Sequence, residues 1–119
     1  TNALPAGTNI IGAVKTDIVN YTTIRKYVAL TETAETAVWT PTAGKKFVIT
    51  DIHISADAAG TCTLRDGTAG TTFMIFSFAA NGGCVSNLRT PIESAAVDNV
   101  LTAQASAITQ YILVTGYEI

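Results

Sequence analysis

From residue 25 to the carboxyl end, apolar and polar positions alternate in short runs, each closed by Gly, Asn, Asp or Pro. A period of two marks a strand with one buried face. The runs predict strands over 25–31, 35–40, 46–56, 61–66, 71–78, 83–88, 91–94, 100–105 and 110–118. Between them lie Asp57-Ala-Ala-Gly60, Asp66-Gly67, Asn81-Gly82-Gly83 and Asp98-Asn99, residues that reverse a chain by positive φ or local side-chain bonds. Short strands at such intervals predict an all-β antiparallel β-sandwich, with a strand number that fits a jelly roll.

The stretch from Trp39 to Ile54 organises this reading. Pro41 has a fixed φ and no N–H, so it ends the strand of Val38 and Trp39, and Gly44 permits the reversal that follows. Strict alternation then puts Val48, Thr50, Ile52 and Ile54 on a core face and Phe47, Ile49, Asp51 and His53 on the other. That second face turns from apolar to polar along its length, as if half covered and half wet. Two further segments are apolar on both faces. Met74, Phe76 and Phe78 lie opposite Phe73 and Ile75, and Tyr111, Leu113 and Tyr117 lie opposite Ile112 and Val114. One face of each fills the sandwich. The other is covered by the amino-terminal segment, by a second chain, or by the same subunit.

Residues 1–24 differ. Breakers mix with β-branched residues, and apolar positions 10, 14, 18 and 21 trace a stripe that Gly12 and the Ile, Val and Thr content turn against a helix. We expect an extended arm over 1–24 and a sandwich domain over 25–119. Leu4, Ile10, Ile11, Val14 and Ile18 are the candidate partner-binding residues of the arm, which packs either on a neighbour or on its own domain.

Composition sharpens the expectation of partners. Only 13% of the 119 residues are charged and 48% are hydrophobic, against about 25% charged in ordinary domains. Abundant threonine and buried contacts with other chains both account for so few ions. The net charge of −2 and the lack of basic runs argue against nucleic-acid binding. No apolar run approaches about 18 residues, so no membrane-spanning helix is expected. The first residues show no basic stretch followed by an apolar one, so no signal peptide is expected from them.

Candidate chemistry is sparse. His53 is the lone histidine, and with Cys62 and Cys84 it matches no zinc spacing. The cysteines either pair as a disulfide or sit as small apolar residues in strands. Ala43-Gly-Lys-Lys46 lacks the first Gly and the Ser or Thr of a phosphate loop. The carboxylates, Glu32, Glu35 and Glu93 among them, are scattered, so no catalytic residues, metal or cofactor are expected. Glycan binding would need exposed aromatics, for which Trp39, Tyr21, Tyr27, Tyr111 and Tyr117 are available. Trp39, just before its Pro turn, is better placed to close the end of a core.

The opening Leu4-Pro-Ala-Gly-Thr-Asn-Ile-Ile-Gly-Ala-Val14 resembles a phrase of tailed-bacteriophage structural proteins. Trp39-Thr-Pro, Ala59-Gly-Thr-Cys-Thr-Leu-Arg-Asp-Gly67, Asn81-Gly-Gly83 and Gly116-Tyr-Glu118 are similar to phrases of small phage virion β-sandwiches. The resemblance implies a non-enzymatic capsid decoration (cement) protein, or a head-fibre or tail module, that is jelly-roll-like and often a homotrimer. Its implied partners are the major capsid protein or other virion subunits. Its implied location is the capsid surface, after synthesis in the host cytoplasm. A receptor- or glycan-binding module of a tail or fibre is the alternative. Where such proteins carry apolar residues at positions like 62 and 84, this chain has cysteines, which leaves a stapling role open.

Overall fold

A computed structural model of the chain describes residues 21–119. Eight strands follow one another: β1 (Ile24–Leu30), β2 (Thr36–Trp39), β3 (Phe47–Ala56), β4 (Gly60–Asp66), β5 (Thr71–Phe78), β6 (Gly83–Glu93), β7 (Leu101–Ala105) and β8 (Gln110–Glu118). They form two four-stranded antiparallel sheets, ordered β1-β8-β3-β6 and β2-β7-β4-β5. The pairs are nested: β4 with β5, β3 with β6, β2 with β7 and β1 with β8. A long hairpin of four strand pairs, rolled so that β8 also meets β3 and β7 meets β4, has this order. It is the two-sheet jelly roll expected from strand number.

The core lies between the sheets. Leu30, Phe47, Ile49, Ile52, Ile54, Ile112 and Val114 of the first sheet meet Trp39, Cys62, Leu64, Leu101, Ala103 and Ala105 of the second there. Phe73, Met74, Phe76 and Phe78 pack against it from β5. Trp39 is fully buried and donates its indole N–H to Glu118 Oε2 at 2.9 Å, which ties β2 of one sheet to β8 of the other. At the opposite end of β8, buried Gln110 donates through Nε2 to the Thr61 carbonyl of β4 at 2.9 Å. β8 is thus fastened to the facing sheet at both ends.

The alternation predicted for β3 is broken. Ile49 pairs with Gly116 and Asp51 with Thr115, so Thr50 is an extra residue, a β-bulge. Its hydroxyl bonds Asp51 Oδ2 and the Thr115 carbonyl. A one-residue bulge reverses parity. Phe47 and Ile49 therefore point into the core ahead of it, and Ile52 and Ile54 behind it. The assignment of Val48 and Thr50 to the core face is corrected: Val48 lies on the outer side, and Thr50 belongs to neither face. The apolar-to-polar gradient read for Phe47 to His53 marks this switch, not partial cover.

Two expected strands, 83–88 and 91–94, are one element. β6 runs through Pro91, which an edge strand tolerates because its N–H would point away from the sheet. The interruption survives in the pairing: Asn87 pairs with Asp51 and Ile92 with Ile49, and the residues between them have no partner on β3. The Pro41 turn is as expected, with β2 ending at Trp39 and Gly44 at φ 80°. Gly67, Asn81 and Asp98 also take positive φ in the predicted reversals.

Two carboxylates carry much of the loop structure. Glu35 accepts from the Ala69 N–H through both oxygens and from the Thr102 hydroxyl. The Thr102 hydroxyl and Ala69 N–H stabilise the carboxylate and hold its pKa below the usual value. For Glu118, burial raises the pKa, but the Trp39 indole and the Thr42 hydroxyl and N–H outweigh it and leave it lowered. A lowered folded pKa gives stability that is complete above the unfolded value and is lost as pH falls through the folded one. Unfolding temperature is therefore expected to drop on acidification below the ordinary carboxylate value of 4.5. Thermal melts of Glu35→Gln and Glu118→Gln should be flatter than wild type over that range. A wild-type slope in both variants would assign the acid sensitivity elsewhere.

Candidate functional site

The outer face of the β1-β8-β3-β6 sheet is the candidate. Register places Tyr27 beside Leu113, Leu113 beside His53, and His53 beside Val85, one row across all four strands. Tyr27 is 64% and Val85 62% exposed, values that leave most of each apolar side chain in water. The next row is Ala29, Tyr111, Ser55 and Gly83. Small residues at 55 and 83 sink the surface between Tyr111, His53 and Val85. The result is an open concavity of about 620 Å³ whose lining includes Tyr27, His53, Tyr111, Leu113 and Val85.

The row on the other side is polar: Arg25, Thr115, Asp51 and Asn87. Beyond it the Tyr21 ring lies flat on Tyr117, centroids 4.3 Å apart and planes 6° from parallel. The described chain therefore begins over this same face. At the far end Tyr111 donates its hydroxyl to Asp57 Oδ2 at 2.9 Å, a bond that raises the phenol pKa.

This arrangement presents apolar and aromatic surface around a single imidazole. His53 is exposed between two apolar neighbours, Leu113 and Val85. Among the described residues no three His, Cys, Asp or Glu side chains converge to hold a metal ion. No helix of the described residues is long and apolar enough to cross a membrane. Cys62 and Cys84, weighed as a pair from the sequence, are free thiols on β4 and β6. Burial, with Cys84 nearby, pushes the Cys62 thiol up to about 12. Leu4, Ile10, Ile11, Val14 and Ile18 lie outside the described residues, and of the expected arm the structure places Tyr21 on Tyr117 and Ile24 in β1.

A second feature is the edge of β5, which no described strand pairs. Its eight residues hold no charge and no Pro, and Ile75 stands 59% exposed at mid-strand. The other edges are guarded: β1 by Arg25 and Lys26, β2 by its four-residue length, β6 by Arg89, Pro91 and Glu93. Ile75→Lys is expected to leave stability within about 0.5 kcal/mol, as for an exposed surface position. It should also lower association at high concentration, read by sedimentation velocity. Unchanged association would clear β5 of any part in it.

The sequence missed the row of Tyr27, Leu113, His53 and Val85 because register brings it together, and register is not written in any one strand. The two-faced run of Tyr111 to Tyr117 was the available signal.

No protein-family model matches the chain, and no curated protein matches it. Among solved structures it is similar to the extra small virus particle of the giant freshwater prawn Macrobrachium rosenbergii. That match has 12% identity, a TM-score of 0.39, and covers 87% of this chain and 83% of that one. A likeness this loose assigns neither function nor ancestry.

Proposed function

We propose that the chain is a non-enzymatic structural subunit of a virion, a capsid decoration protein that bridges and stabilises neighbouring capsid subunits. The observation that carries this reading is the Tyr27-Leu113-His53-Val85 row, which no described residue covers and in which Tyr27 and Val85 stand exposed on the outside of a sheet already packed on its inner face. Soluble single domains rarely leave such a patch without a partner. The scarcity of charge and the resemblance to phage virion sandwiches point the same way. The arm, with Ile10, Ile11, Val14 and Ile18, adds apolar area and strand pairing across joints. Binding only the assembled shell then raises its stability by linkage.

The test is direct. Purified chain is mixed with shells of its own virion that lack it, then sedimented and imaged. Saturable density on the shell surface and a raised shell melting temperature are expected; failure to co-sediment at saturating chain refutes the proposal. Deleting residues 1–20, which spares β1 and the Tyr21–Tyr117 stack, is expected to abolish attachment while the sandwich still melts cooperatively.

Binding of a glycan receptor is the second reading, and Tyr27 and Tyr111 around the concavity favour it. Trp39, the best aromatic for it by sequence, is fully buried. Sugar-dependent shifts of the Tyr27 and Tyr111 ring resonances, with no shell binding, would put this reading first.

A further inference from the structure

We propose that two copies of the chain pair edge to edge through β5, antiparallel about a twofold axis. Ile75 then meets Ile75 of the second copy, and the two β2-β7-β4-β5 sheets run on as one. The core itself is lopsided toward this edge. β1 and β2 lie in contact along one side of the sandwich, and β5 and β6 are the outermost strands of the other. Eight apolar residues among those described pack on the core yet stay half-buried. Six of them lie on these two strands: Phe73, Met74, Phe76 and Phe78 on β5, Leu88 and Ile92 on β6. The half-covered rim of the core is thus gathered at one side. Ile75, 59% exposed, stands in its middle.

A strand carries N–H and C=O groups along both edges, and β4 takes up one edge of β5. The other edge suits a strand of equal length that opposes no charge to it. A second β5 is such a strand. Its eight residues, Thr71–Phe78, hold no charge and no Pro, so self-alignment sets no like charges opposite and loses no hydrogen bond to a proline. Residues directly opposite in an antiparallel pair share a face. Alignment on Ile75 therefore puts Met74 opposite Phe76 of the second copy, and Thr72 opposite Phe78. Two half-buried rims become one continuous core, and each Ile75 is covered by its counterpart. A contact of this kind uses the same edge of both copies, so association closes at two. One strand pair buries less than the roughly 1,200 Å² of a standard interface, so the dimer is weak and concentration-dependent. The inference does not need the virion reading. In that reading, paired subunits attach to a shell by two contacts in place of one, which tightens their hold.

The experiment follows the full wild-type chain, without shells, by sedimentation velocity from micromolar to millimolar concentration. A monomer–dimer equilibrium is expected, and hydrogen exchange of β5 amides is expected to slow several-fold from the dilute to the concentrated end. Ile75→Lys and Ile75→Glu each set like charges across the axis, at an exposed position outside the core. Each alone is expected to stay monomeric where wild type is mostly dimer. Mixed in equal amounts, the two are expected to dimerise again, a recovery specific to contact of position 75 with itself. A wild type that is monomeric at millimolar concentration, dimers of either variant alone, or a mixture that stays monomeric overturns the inference. So does β5 protection that is equal at every dilution, which would mean that this edge is already paired within one subunit. The wild-type exchange measurement needs no variant, so a variant that fails to fold does not decide the outcome. No shell enters the experiment, so its failure is separate from failure of the virion reading.

Discussion

Gly116→Ala is expected to be the most damaging single substitution in the sandwich. A Cβ at this position would overlap the Val48 carbonyl oxygen and lie 2.9 Å from its carbonyl carbon and 3.1 Å from Ile49 Cα. All three are backbone atoms of β3 beside the Thr50 bulge, so no flexible side chain can swing aside. Relief requires separating β3 from β8, the central pair of their sheet. We expect a loss on the order of 3–5 kcal/mol, at the upper end for point changes. At about 4–8 °C per kcal/mol for a domain of this size, thermal unfolding followed by circular dichroism resolves it easily. Gly44→Ala is the control: φ is +80° there but nothing lies within 4 Å, so only the dihedral cost of about 1–2 kcal/mol applies. Equal effects at the two sites would mean that the bulge yields and that contact at 116 is not decisive.

Trp39→Ala should come next. It empties a fully buried site against Phe47, whose ring centroid is 5.9 Å away, and strips Glu118 of its indole donor. Truncation of a buried aromatic costs about 3–5 kcal/mol. Trp39→Phe keeps most of the bulk and loses only the N–H, for about 1.5–3 kcal/mol, the range for a hydrogen bond to a charged group. The cycle of Trp39→Phe with Glu118→Gln isolates the tie between the sheets. Additive losses would show that Trp39 acts by packing alone and that the sheets are held together without the bond.

The sequence made the fold legible where turns are chemical and strands are simple. Pro41 and Gly44, Asp66 and Gly67, and Asn81 marked their reversals, and the alternation of Ile112 and Val114 against Tyr111 and Leu113 gave the two faces of β8 correctly. It misled at Thr50, because one added residue inverts the parity of everything after it and leaves no composition signal. It split β6 at Pro91 because a proline is permitted or forbidden by its place in the sheet, which neighbours in sequence do not reveal. Glu35 was passed over as one scattered carboxylate, yet it closes the β4–β5 turn by bonding Ala69 across 34 positions. Tyr27 stood out only as one of five available aromatics and Val85 not at all, until register set them in one row with Leu113 and His53. The candidate site is a property of the assembled sheet. Its parts carry no motif.

The nesting of strand pairs has a consequence for synthesis. β8, the last of the eight described strands to be made, sits between β1 and β3, so their sheet has no centre until residues 110–118 have cleared the ribosome. Partners so distant along the chain must close large loops before any contact rewards them, which makes folding slow and exposes the apolar strands meanwhile. A nascent chain stalled before Gln110 is expected to be digested by protease throughout. Truncation before Gln110 would leave no partly competent fragment, so quality control is built in: only a polypeptide that carries β8 can complete the fold.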